Sequence, residues 1–170
     1  MKVAELRAAL PPDAFARLLA RQTDPRTLAA LGAPEAVRAA PKATGREGYA
    51  RAEADGTVVF ESGMELRSVL NGGGEHHMVR ARRVAREHAT VSAALATVRL
   101  PAGPRWVVTI ARLSRGELDD DNLRASAKAV RDAVAHALGV DDGPAGPVAW
   151  SYAQVRAQGY GVRVTIARAL

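Results

Sequence analysis

The segment Leu118-Asp119-Asp120-Asp121-Asn122-Leu123 sets three adjacent carboxylates directly after an apolar run, 105–113, in which Trp106, Val108 and Ile110 alternate as on a strand. Neighbouring carboxylates repel one another unless solvent or a cation relieves them. In extended backbone, Asp119 and Asp121 are two residues apart and would point the same way. Two carboxylates on one hard cation is the arrangement Mg²⁺ uses, with water and phosphate oxygens completing its shell. Further on, a helix over 121–138 closed by Gly139 is expected. At about 100° per residue it gathers Leu123, Ala127, Val130, Val134 and Leu138 on one side. Asp121, Lys128 and Asp132 fall opposite, within roughly 40° of one another. Asp141-Asp142-Gly143 follows in the closing loop, a second source of carboxylates that folding could bring beside the first.

Each part also has a plain structural reading. A D-x-D occurs in sugar-nucleotide transferases and in helix caps, Asn122 suits a helix N-terminus, and Asp141-Asp142-Gly143 suits a turn. Lys128 and Asp132 are spaced as a surface i,i+4 pair. The four histidines, His76, His77, His88 and His136, show no metal-site spacing. The joint pattern carries the argument.

Charge is segregated along the chain. The net charge is +6, yet seven of the eighteen acids lie between residues 117 and 142, offset there only by Arg124, Lys128 and Arg131. After Glu87 no acid occurs outside that window. A basic body attracts polyanions, and a concentrated acidic patch repels them unless a cation sits in it. The combination suits a metal-dependent enzyme acting on nucleic acid, or a basic protein with one acidic helix face. With no cysteine, disulfides and thiolate zinc sites are excluded, and a reducing compartment is the natural setting. No stretch reads as a signal peptide or membrane span, so a cytoplasmic protein is expected.

The elements that must position these groups read as α+β around a mixed sheet with two long helices. Residues 1–45 form a separate extension of short, proline-started helices, with 41–48 as linker. Residues 46–170 form the main domain. A hairpin over 49–54 and 57–61 turns at Asp55-Gly56, and 64–70 alternates as a further strand. A helix over 75–97 follows, its apolar face set by Val84, His88, Val91, Leu95 and Val98 and its remainder rich in Arg80, Arg82, Arg83 and Arg86. Residues 148–156 and 160–168 read as a closing hairpin turned at Gln158-Gly159.

Taken together, LDDDNLRASAKAVRDAVAHALGVDD resembles the signature of RusA-type crossover (Holliday) junction endonucleases, in their phage and prophage versions. In that family a D-x-D-N follows a strand, a helix carries a lysine and an aspartate four residues later, and a D-D pair comes after. Asp119, Asp121 and Asn122 match the first element, Lys128 and Asp132 the second, and Asp141 and Asp142 the third. Upstream, 66–71 resembles the family's opening strand with its asparagine, Asn71. The likeness covers 64–170. Lys128 stands six residues after Asn122, whereas the best-known resolvases have their lysine three residues after it, and Ala125 occupies that place here. The resemblance implies a homodimer that binds four-way DNA junctions and nicks opposing strands. Asp119, Asp121 and Asp142 would hold Mg²⁺ (or Mn²⁺) with help from Asp141, and Lys128 would neutralise charge on the phosphate. Asn122 and Asp132 would support them, while Arg80, Arg82, Arg83, Arg86, Arg124 and Asn71 would meet DNA without reading its sequence. Alternatives are a non-catalytic branched-DNA-binding homodimer of the same fold, a nucleotide-sugar transferase using its D-x-D, and an interaction protein with a solvated acidic face.

Overall fold

Asp55-Gly56 makes the first turn that organises the chain. Gly56 takes a left-handed φ of 81°, Thr57 donates its N–H to the Asp55 carboxylate at 2.9 Å, and Glu53 N–H reaches the Thr57 carbonyl at 2.7 Å. The turn joins β1 (Gly48–Ala52) to β2 (Val58–Ser62) as an antiparallel hairpin. The computed structural model describes residues 47–67, 75–143 and 145–169. The expected helical extension 1–45 and Asn71 therefore lie outside the described residues.

After the hairpin come helix α1 (His77–Leu95), strand β3 (Trp106–Ser114), helices α2 (Asp120–Ser126) and α3 (Lys128–Leu138), and strands β4 (Val148–Arg156) and β5 (Gly161–Arg168). The five strands form one mixed sheet in the order β1-β2-β5-β3-β4. β3 is parallel to β4 and antiparallel to β5. No helix among the described residues is long and apolar enough to cross a membrane.

The helices share one face of the sheet. Val58 and Phe60 of β2, Val162, Val164 and Ile166 of β5, and Val108 and Ile110 of β3 pack there with Val91 and Leu95 of α1, Leu123 of α2 and Val130 and Val134 of α3. All but Leu123, at 5%, are at most 1% exposed, so removing one large side chain leaves a cavity costing roughly 2–5 kcal/mol.

Four expectations are corrected. The closing pair is not a hairpin, because β3 lies between β4 and β5. The link between them crosses the end of β3, where Ala157 N–H donates to the Ser114 carbonyl at 2.9 Å and Arg115 Nε to the Gln158 carbonyl at 2.8 Å. The expected strand at 64–70 is irregular over 63–67, and its remainder lies outside the described residues. Ser62 Oγ accepts the Met64 N–H at 3.2 Å and bends the chain, while the Leu66 carbonyl is taken by the Arg112 side chain. The single helix 121–138 is divided into two at Ala127, where the Leu123 carbonyl accepts both the Ala127 N–H at 3.1 Å and the Ser126 hydroxyl at 2.8 Å. Finally, Val84 is exposed, and Glu87 takes the buried place on α1, paired with Arg83 at 2.9 Å.

The opposite sheet face carries an ion pair. Glu61 and Arg163 are cross-strand partners, joined at 2.7 Å through Nε, with side chains 5% and 7% exposed. Tyr49 hydroxyl and Arg51 Nη1 also donate to Glu61. Burial opposes ionisation of Glu61, but hydrogen bonds from Tyr49, Arg163 and Arg51 outweigh it and its pKa falls below the usual value. Its ionised form therefore stabilises the fold above the unfolded pKa of about 4.3, and that contribution is lost as pH falls through the lower folded value. Glu61→Ala removes the buried carboxylate shared by Arg163, Arg51 and Tyr49 and is expected to cost about 3–5 kcal/mol in urea unfolding at pH 7. The deficit should shrink as the pH is lowered through the Glu61 pKa; a deficit unchanged down to pH 3 would contradict this.

Candidate functional site

The acidic run begins α2 instead of extending β3. Asp119 is the N-cap, with extended backbone (φ −64°, ψ 166°), and Asp120 and Asp121 occupy the first helical turn. The premise that Asp119 and Asp121 share an extended backbone is thereby overturned, because Asp121 is already helical. A helix N-terminus relieves the mutual repulsion through free N–H groups and the positive end of the helix dipole. Asp119 accepts the Asn122 backbone N–H at 2.8 Å, and Asn122 Nδ2 donates to both its oxygens, at 3.0 and 2.8 Å. Those bonds, the backbone one foremost, hold the Asp119 carboxyl below the ordinary range. Asn122 itself is buried. Asp120 pairs with Arg124 at 2.9 Å, both exposed. Asp121 is exposed and has no hydrogen-bond or ion-pair partner among the described residues.

On α3, Lys128 Nζ donates to both oxygens of Asp132 at 2.9 Å, as the i,i+4 spacing suggested. Residues 139–143 then double back. Gly139 ends α3 in the left-handed conformation, φ 68°, and Val140 N–H returns to the Ala135 carbonyl at 3.0 Å. Gly146 lies so close to the loop that a Cβ there would stand 2.5 Å from the Asp141 carbonyl oxygen. The folded-back loop delivers Asp142 to Arg131, whose Nε donates to it at 2.8 Å and whose Nη2 donates to the same oxygen. Arg131 is the main cause of the lowered Asp142 pKa, and Lys128 and Asp132 contribute as well. Asp141 caps the Gly143 N–H at 2.7 Å.

Tyr152 of β4 links the two acidic segments. The Arg124 guanidinium lies 5.2 Å from its ring centre, and Arg131 Nη1 is 3.5 Å from its hydroxyl. Contacts therefore run without a break from Asp120 through Arg124, Tyr152 and Arg131 to Asp142. Arg131 also sits 5.8 Å from the Trp150 ring centre. Arg131, Tyr152 and Trp150 were not singled out from sequence. The alternation of Trp150, Tyr152 and Gln154 on one strand face was the available signal, but periodicity alone does not say which neighbours a face meets.

All-oxygen donors are the right chemistry for a hard divalent cation. The arrangement does not supply a cage, because among the described residues no three His, Asp or Glu side chains are grouped closely enough to hold an ion. Asp119 is occupied by Asn122 and Asp142 by Arg131, so a three-carboxylate metal site does not fit the side chains as they stand.

Of the four arginines on α1, Arg83 is engaged by Glu75 at 3.1 Å and Glu87 at 2.9 Å. Arg80, Arg82 and Arg86 are exposed, with no ion-pair partner among the described residues. Arg82 and Arg86 stand one turn apart, as a grip on a polyanion requires.

Arg131→Gln should raise the Asp142 carboxyl pKa toward the ordinary carboxylate value, followed by carbon NMR of the aspartate side chains. An unmoved Asp142 titration would remove Arg131 as the group that controls it. No protein-family model matches the chain, and no curated protein or solved structure matches it either.

Proposed function

We propose that this chain is a RusA-type endonuclease that binds branched DNA, four-way junctions foremost, as a homodimer and hydrolyses phosphodiester bonds with Mg²⁺ as cofactor. The observation that supports the reading is the meeting at Tyr152 of Arg124 and Arg131, each of which also pairs with a carboxylate, Asp120 and Asp142 respectively. Carboxylates and basic groups distant along the chain there share one polar surface. The exposed pair Arg82 and Arg86, one turn apart on α1, adds a surface for the phosphate backbone, which supplies affinity without sequence information, and Arg80 projects from another side of the helix. Asp119, Asp121, Asp141 and Asp142 are the candidate ligands, with Lys128 and Arg124 the candidate phosphate contacts. In this reading, Mg²⁺ and bound DNA require Asp119 and Asp142 to exchange Asn122 and Arg131 for new partners.

A second reading has its own observation. Because Asp119 and Asp142 are already satisfied within the chain, a branched-DNA-binding protein of the same fold without cleavage is the alternative. The transferase reading draws no support from residues 48–62, which form an antiparallel hairpin and not the start of a nucleotide-binding α/β half.

Labelled four-way junction and linear duplex, incubated with the purified chain in Mg²⁺ or EDTA, separate these readings. Symmetric nicks on the junction, dependent on Mg²⁺, are expected; junction binding in EDTA with no nicking after Mg²⁺ is added would select the non-catalytic alternative. Asp121→Asn removes a partnerless surface carboxylate and should leave thermal unfolding unchanged. It should lower the cleavage rate about 10–100-fold or more, and full Mg²⁺-dependent cleavage by this variant would end the assignment.

A further inference from the structure

Gln154 lies on the helix-bearing face of β4, level with Arg112 on β3. Its amide grips both backbone polar groups of one residue at once. Oε1 accepts the Leu118 N–H at 2.8 Å, and Nε2 donates to the Leu118 carbonyl at 2.6 Å. Leu118 is the residue immediately before the Asp119 N-cap. Strand β4 thus holds the acidic turn by the backbone, through a side chain that imitates a neighbouring strand.

Behind it stands Arg112, whose residue exposure is only 8%. Arg112 forms no ion pair among the described residues, and its acceptors are neutral. Nε donates to the Leu66 carbonyl at 3.1 Å, and Nη1 to Ser114 Oγ at 2.5 Å and the Gly116 carbonyl at 2.8 Å. Gln154 Oε1 lies 3.5 Å from the same nitrogen. A buried cation without a carboxylate is costly unless its hydrogen bonds are met, and here two loops meet them. One is 114–118, which leads into Asp119. The other contains Leu66, near the start of the segment that continues toward Asn71.

We infer that Gln154, backed by Arg112, is the positioning residue of the acidic turn, setting where Asp119, Asp120 and Asp121 stand relative to β4 and to the Leu66 segment. Its catalytic consequence rests on the nuclease reading above. Its structural consequence does not. A planar fork can serve several acceptors spread around it, which lysine cannot, and a glutamine can serve both the N–H and the carbonyl of one residue, which an ionised glutamate cannot.

The test compares the full chain with Gln154→Leu, Gln154→Glu and Arg112→Lys, by amide hydrogen exchange and by junction cleavage. In Gln154→Leu the Leu118 amide should exchange about tenfold faster, as expected for one lost hydrogen bond, while amides in β2 and β5 keep their rates. Gln154→Glu keeps the acceptor, so its Leu118 amide should stay protected. Arg112→Lys should speed exchange over 114–118. Cleavage should fall about 10–100-fold in Gln154→Leu and less in Gln154→Glu, with junction affinity unchanged, as for misplacement of reacting groups. Unaltered Leu118 exchange in Gln154→Leu, or loss of protection spread evenly through β2, β3 and β5, would overturn the inference. Local exchange changes in a chain that cleaves no junction would defeat the nuclease reading and leave the positioning role standing. Should Gln154→Leu not fold, the contrast between wild type and Arg112→Lys over 114–118 decides.

Discussion

Strand β3 is hydrogen-bonded along both edges, parallel on one side and antiparallel on the other, and the rest of the chain is arranged to make that possible. A parallel neighbour cannot be reached by a tight turn, so the chain must travel the length of the sheet before β4 can begin. Helices α2 and α3 are that passage. An antiparallel neighbour on the far edge then requires the chain to step over the end of β3, which residues 157–160 do. Both demands concentrate connections at the carboxyl end of β3. In open sheets with parallel strands, that end is where backbone groups are freest to meet a ligand.

The acidic run is accommodated there by pairing each charge differently. Asp119 is absorbed by the start of a helix, Asp120 by a neighbour one turn on, and Asp142 by a guanidinium from α3. Asp121 has no such arrangement among the described residues. Within the window of seven acids, Asp119, Asp120, Asp132, Asp141 and Asp142 each have a partner from the chain itself. This pairing makes any incoming cation compete with the protein's own donors.

Much of this was legible in sequence. Period-two alternation marked β3 and β4, the Asp55-Gly56 turn marked the first hairpin, and Gly139 marked the end of α3, because each is decided by neighbours within a few residues. The errors share a different origin. A turn at Ala127 divides a helix that periodicity reads as continuous, although the hydrogen bonds from Ala127 to Leu123 and from Arg131 to Ala127 persist there. Glu87 lies buried on α1 while Val84 is exposed, and burial raises the Glu87 pKa despite its pairing with Arg83; the closing strands were parted by a third that sequence order does not announce. In the candidate site, the acids and the Lys128–Asp132 pair were visible as residue types at helical spacing. Arg131, Tyr152, Gln154 and Arg112 were not, since their roles depend on which segments the sheet order brings side by side.

At Ala127 the backbone stays right-handed and hydrogen-bonded on both sides, to Leu123 and to Arg131, so α2 and α3 are coupled. α2 takes its orientation from the turn held by β4, whereas α3 takes its own from packing against α1 and the sheet. A strain applied at the Leu118 turn is therefore passed through Ala127 to Arg131, and from Arg131 to the loop that carries Asp142.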